Sequence, residues 1–229
     1  MPEVLERGKI YFFYTPRVET ETVRGFRDVQ RLMIILSSDG DKLFRTLVVR
    51  HKRLPDPRAA GHEKFWGYVD RVSRDVAQVQ EILSADTYET KTRGLRHQPA
   101  ARPAGEGSYA FVTHVRHTHL IYTLHFPKEP GEVQTAFNIN REASYIVAIK
   151  DLETPWWWEQ VRFIPLKHPR ELSEGTELVV ISASADISRE FASDFDTSED
   201  SFDTVAIFED LRIHEANHPT DPLIYGRWA

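Results

Sequence analysis

The segment RLMIILSSDGDKLFRTLVVR sets Asp39-Gly40 between two apolar runs, and this constrains the fold more than any other feature of the chain. Glycine accepts the positive φ of a tight turn, so two apolar runs joined this way predict a β-hairpin. An aromatic run, KIYFFYTPRV, precedes it. FWGYVDRV (65–72) follows after the loop LPDPRAAGHEK, and the protein is expected to open as a β-meander.

Helical periodicity enters next. Val72, Val76, Val79, Ile82 and Leu83 recur at three- and four-residue spacing, which predicts a helix from about Arg74 to Ser84 capped by Ser73. The following run, TRGLRHQPAARPAGEG, holds three glycines and two prolines and is expected to be an irregular surface loop. Ser108–Phe126 alternates over too many residues for one strand, so it is expected to fold back as a hairpin with Val115 and Arg116 at its tip. Tyr109, Phe111, Leu120, Tyr122, Leu124 and Phe126 then share a core face. Val112, His114, His117, His119, Ile121 and His125 share the other.

GEVQTAFNI predicts one or two helical turns, ASYIVAIKD and TELVVISASAD predict strands, and Ser201–Glu215 predicts a last helix. The pattern gives an α+β, β-rich class: a curved antiparallel or mixed sheet, or a partly open barrel, of seven or more strands with two or three peripheral helices. Residues 1–229 are expected to form a single domain, with a flexible acidic segment near 188–203.

Charge narrows the function classes. The formal net charge is −6, which argues against general coating of DNA. The sign is uneven, however. Lys91, Arg93, Arg96, Arg102 and Arg116 fall within 91–120 against the single acid Glu106, whereas 171–215 carries thirteen acids against Arg189 and Arg212. The absence of cysteine excludes disulfides, thiolate metal sites and a cysteine nucleophile. The N-terminus lacks the apolar core of a signal peptide, and the longest apolar run elsewhere is Leu32–Leu36. The expectation is a cytoplasmic protein with no membrane span.

Three chemistries compete for the histidines and arginines. Guanidinium forks at Arg93, Arg96, Arg102 and Arg116, with His97, suit phosphate, and glycines at 94, 105 and 107 would let backbone N–H groups approach an anion. Trp156 and Trp157, beside Trp158, are candidates for stacking a base, whereas Trp228 near the C-terminus is expected to pack. The first reading is therefore a module that binds RNA, single-stranded DNA or a nucleotide, from the loop and the histidine-rich hairpin lining one cleft. Its plain rival is a solvated loop whose arginines pair with the acidic tail.

The second chemistry is metal-dependent hydrolysis of a phosphodiester. His114, His117 and His119 would ligate a divalent ion such as zinc, and His117 or His119 would act as base. Glu106 is the only acid close in sequence to orient the rings. The third is a protein–protein interaction module. No P-loop, dinucleotide fingerprint, nucleophile elbow or zincin motif singles out a reaction.

ERGKIYFFYTPRV, DVQRLMIILS, FWGYVDRV, TRGLRHQPAARPAGEG, HTHLIY and the closing GRWA resemble a family of bacterial proteins with plant relatives. The resemblance spans most of the chain. That family has no established activity, cofactor or catalytic residue, so the likeness transfers no function.

Overall fold

The computed structural model describes residues 2–114, 116–153, 162–187, 191 and 205–229. Its strands are β1 (Glu3–Pro16), β2 (Val29–Ser38), β3 (Phe44–Val49), β4 (Lys64–Ser73), β5 (Asp86–Thr90), β6 (Gly94–Gln98), β7 (Arg102–His114), β8 (His117–Phe126), β9 (Glu142–Lys150), β10 (Phe163–Pro165) and β11 (Glu177–Ser184). The described helices are α1 (Val76–Leu83), α2 (Glu132–Phe137), α3 (Ile207–Asp210) and α4 (Asp221–Ile224).

Eight strands close on themselves in the order β1–β2–β3–β4–β11–β9–β8–β7, every neighbouring pair antiparallel. The expected curved sheet is thus a fully closed barrel, which removes the exposed edges an open sheet would present. β10 extends one end of β9, and β5–β6 forms a separate two-stranded ribbon.

Alternation along each strand sends Ile10, Phe12 and Tyr14, Leu32, Ile34 and Leu36, and Tyr109 and Phe111 into one interior core. A second core lies outside the barrel. Tyr11, Phe13, Met33, Ile35 and Val48 are covered there by Val79 and Leu83 of α1, by Ile207, Leu211 and Ile213, and by Leu223 of α4. Burial on both faces explains why IYFFY and LMIIL are unbroken apolar runs rather than alternating ones.

A void of about 10 Å³ inside the barrel, lined by apolar groups such as Ile34, Phe111 and Val180, is too small and too apolar to hold a ligand. At one end Phe26, Phe137 of α2 and Trp228 pack around Tyr14, with ring centroids 5.4–5.8 Å apart, so Trp228 is a packing residue as expected. Leu166 and Leu172 belong to the same core, and Thr118 Oγ1 donates to the Leu166 carbonyl. Among the described residues no helix is long and apolar enough to cross a membrane.

Several local expectations change. The cap of α1 is Asp75, whose carboxylate accepts Ala77 N at 2.9 Å, while Ser73 Oγ accepts Asp75 N one step earlier. TRGLRHQPAARPAGEG is not irregular: it supplies β6 and the first half of β7. Gly94 takes φ 66° at the ribbon turn, and Pro103 stands at a bulge opposite Phe13. Phe126 leaves the barrel face because a register shift at Glu106/Gly107 turns it into the outer core. Of the expected last helix, residues 201–204 lie outside the described residues. Within the rest, only Ile207–Asp210 is α-helical.

Gly107 has a packing reason to be glycine rather than a role in approaching an anion. A Cβ there would lie 2.1 Å from the Thr123 carbonyl oxygen and 3.0 Å from Leu124 Cα, both backbone atoms of the paired strand β8. Gly107→Ala is expected to force β7 and β8 apart and cost roughly 1–3 kcal/mol, the usual range for overpacking. Urea denaturation measures this, and an unchanged midpoint would show that the strands yield freely.

Candidate functional site: a basic cleft at the barrel rim

At the Tyr14 end, β1 leaves the barrel through loop 17–28 and β3 leaves through the turn Arg50-His51-Lys52-Arg53. The turn closes by Lys52 N donating to Val49 O at 3.1 Å, with Lys52 at φ 58°. Its ammonium reaches across and donates to the Val29 carbonyl at 2.7 Å. The loop is pinned by Arg17 N donating to Asp28 O at 2.7 Å, and a 3₁₀ turn at Phe26–Asp28 sets Phe26 and Arg27 facing the basic turn.

The cleft between them holds about 400 Å³ and is lined by Arg17, Phe26, Arg27, Arg50, His51 and Lys52. Five of these six side chains are basic and none is acidic. Arg50 Nη2 lies 3.9 Å from Glu177 Oε1, a marginal pairing. Arg17, Arg27 and Arg53 make no ion pair among the described residues. The Lys52 pKa is pushed below its ordinary value, first by desolvation and then by the neighbouring Arg17 charge. His51 stacks on Phe65 at 4.3 Å, and the Arg53 guanidinium lies 5.9 Å from the same ring, so both are held in place without carboxylates.

The residues expected to bind from sequence are dispersed. Arg93 is exposed in the turn of the β5–β6 ribbon, where its N–H donates to Thr90 Oγ1. Arg96 Nε lies 3.4 Å from Glu19, and His97 Nε2 lies 3.1 Å from Glu21. Among the described residues these two basic groups pair internally, with acids of loop 17–28. Arg102 is buried beside Tyr14. Its Nη2 donates to the Glu21 carbonyl, while Nε and Nη1 find no partner among the described residues.

Arg116 sits exposed at the other end of the barrel. Arg102 and His114 begin and end the thirteen-residue β7, which separates them by roughly 40 Å at 3.3 Å per residue. The expectation that loop 91–107 and the histidine hairpin line one cleft is therefore corrected.

The three histidines do share a face, with His114 opposite His117 as the hairpin tip predicted. They do not form a ligand set: among the described residues no group of three His, Asp or Glu side chains is placed to hold a metal. His119 is instead a packed residue, 4% exposed, with Nδ1 2.9 Å from Ser144 Oγ. Its ring and that of His114 lie 5.9 Å apart, and both pack edge-on near Phe191, at 5.2 and 5.5 Å. His117 is exposed. Glu106 orients no imidazole; its carboxylate accepts Ala206 N and Ile207 N at the start of α3. Trp156, Trp157 and most of the acidic segment 188–203 lie outside the described residues.

Sequence reading missed the rim because its bases come from three separated places. One signal was available: RHKR at 50–53 is four consecutive basic residues, immediately after an apolar strand. No family model, curated protein or solved structure matches the chain.

Proposed function

We propose that the protein binds a phosphate-bearing anion, from a nucleotide or a nucleic acid, in the rim cleft. The observation that carries this reading is a cleft of about 400 Å³ with five basic side chains and no carboxylate. Guanidinium and ammonium donors match phosphate oxygens in number and charge, and the partly desolvated Lys52 gains from an anion that replaces its lost water. Phe26 offers an apolar contact beside them, as binding clefts commonly combine a few convergent polar groups with an aromatic wall.

Titration calorimetry with inorganic pyrophosphate and with ATP at low salt tests the proposal. Arg17→Ala and Arg27→Glu, both exposed positions, are expected to weaken binding about 10-fold or more, in line with the energies of charged hydrogen bonds. Affinity is expected to fall as salt rises, since exposed charges are screened. Arg116→Ala at the far end of the barrel is expected to change nothing. Equal affinity for the native protein and the rim variants would overturn the assignment.

A further inference from the structure

We infer that the rim cleft takes a single strand of nucleic acid, which continues over loop 17–28 onto the β5–β6 ribbon. This rests on the rim reading and extends it from one phosphate group to a polymer.

The ribbon motivates the extension. Its two five-residue strands pair only with each other, an arrangement that is marginal by itself in water. Its base is anchored to the end of β1 and to loop 17–28: Gln98 Nε2 donates to Pro16 O at 2.8 Å, Glu19 N donates to His97 O at 2.8 Å, and His97 N donates to Glu19 Oε1 at 2.8 Å. Its outer half is open on both faces, with Leu95 72% exposed on one and Tyr88 40% exposed on the other. Lys91 and Arg93 stand exposed at the tip, with no ion pair among the described residues.

Side-chain direction sets the path. Tyr88 stands opposite Arg96, so both point to the same face, and Arg96 pairs with Glu19 of the loop. Tyr88 thus shares the ribbon face of Arg96, which reaches Glu19 of the loop carrying Arg17 and Arg27, while His97, on the Leu95 face, reaches Glu21 of the same loop. Of the acids of loop 17–28, Glu19 pairs with Arg96, the Glu21 carboxylate lies 3.1 Å from His97 Nε2, and the Asp28 carboxylate accepts Arg24 N at 2.9 Å. Glu89, opposite Leu95, points to the other face, and Asp86 sits at the ribbon base opposite Gln98.

From Gln98 to Gly94 the ribbon spans roughly 13 Å at strand rise, room for two or three nucleotides beyond the cleft. A cationic track with an aromatic ring set along it is the arrangement that grips single strands: the charges follow the phosphates and the ring stacks a base without reading its identity. A duplex keeps its bases stacked inside and offers nothing to Tyr88.

The test is fluorescence anisotropy with labelled oligouridylates of four and twelve nucleotides, alongside pyrophosphate titration. The twelve-mer is expected to bind at least about 10-fold more tightly than the four-mer. Tyr88→Ala is expected to weaken the twelve-mer about 10-fold, within the range for stacking of one base. Lys91→Ala/Arg93→Ala is expected to shallow the log–log salt slope by roughly 0.7 for each phosphate that is no longer neutralised. Both variants alter exposed positions, and unchanged thermal melting confirms the fold. Neither is expected to change pyrophosphate affinity.

Length-independent binding, ribbon variants without effect, or a twelve-base-pair duplex bound as tightly as the single strand would each overturn the inference while leaving the rim reading intact. Pyrophosphate binding indifferent to Arg17→Ala and Arg27→Glu would instead remove the rim reading itself.

Discussion

Glu6→Leu is expected to destabilise the protein by roughly 3–5 kcal/mol, Arg45→Met by less, and the double variant to recover most of the loss. Arg45 is 1% exposed and shares a strand face with Leu47 and Val49, inside the barrel. Its two terminal nitrogens hold Glu6 in a fork, Nη1 to Oε1 at 2.7 Å and Nη2 to Oε2 at 3.1 Å, and the Tyr109 hydroxyl donates to Oε1 at 2.7 Å. Burial and the adjacent Glu6 charge both raise the Tyr109 pKa, so this hydroxyl stays a donor at any ordinary pH.

The asymmetry follows from what each deletion strands. Without Glu6 an arginine that cannot shed its proton is left buried and unpaired. Without Arg45 the carboxylate keeps its hydrogen bond from Tyr109 and, at 13% exposed, some contact with solvent. The larger loss corresponds to a melting temperature lower by on the order of 10 °C for a domain of this size. Urea denaturation of both single variants and the double variant gives the cycle directly. Equal single losses that simply add would mean the two groups do not act as a pair.

The same residues show what the sequence could and could not convey. Local patterns were legible: IYFFY and LMIIL are strands because both faces are buried, and HVRHTH turns where the alternation requires, with His114 opposite His117. Even there the turn chemistry differed. Asp39-Gly40 falls within the connection 39–43 between β2 and β3, and it is Lys42 that adopts the positive φ, at 48°.

Closure was not legible, because β1 pairs with β7 across about a hundred residues and no local signal encodes that pairing. The ribbon β5–β6 was missed for a different reason: DTYET has polar residues on both faces, so it carries no alternation. The basic segment 91–120 looked like one site because its charges are close in sequence, yet a thirteen-residue strand carries its ends to opposite rims. Conversely, Arg17, Arg27 and Arg50 look unrelated in sequence and meet in space because the ends of β1 and β3 and the start of β2 share one rim.

Acid is expected to weaken the fold between pH about 6.5 and about 4, and a His119→Leu/Ser144→Ala variant to show a flatter profile across that window. Burial lowers the His119 pKa from 6.5 to about 4, with the nearby His114 and His117 adding to the shift. In the unfolded chain this imidazole takes up a proton near pH 6.5. In the folded chain it does so only near pH 4, so in the interval the unfolded state binds more protons and stability rises with pH. The contribution is fully present above about pH 6.5 and is lost progressively as pH falls toward 4. At about 1.4 kcal/mol per pH unit, it amounts to roughly 3 kcal/mol.

Leucine fills much of the imidazole volume beside Phe191, and removing the Ser144 hydroxyl avoids leaving it without its ring partner. His218, whose pKa is also lowered by burial, contributes in the same direction. Glu106, whose pKa is raised by burial, works the opposite way, since its ionisation above the ordinary carboxylate range disfavours the folded state. Both remain in the variant, so the difference between the two stability–pH curves isolates His119. Curves that run parallel from pH 7 to pH 4 would mean that the folded protein protonates this ring as readily as the unfolded chain does, and that its seat against Ser144 and Phe191 opens in acid.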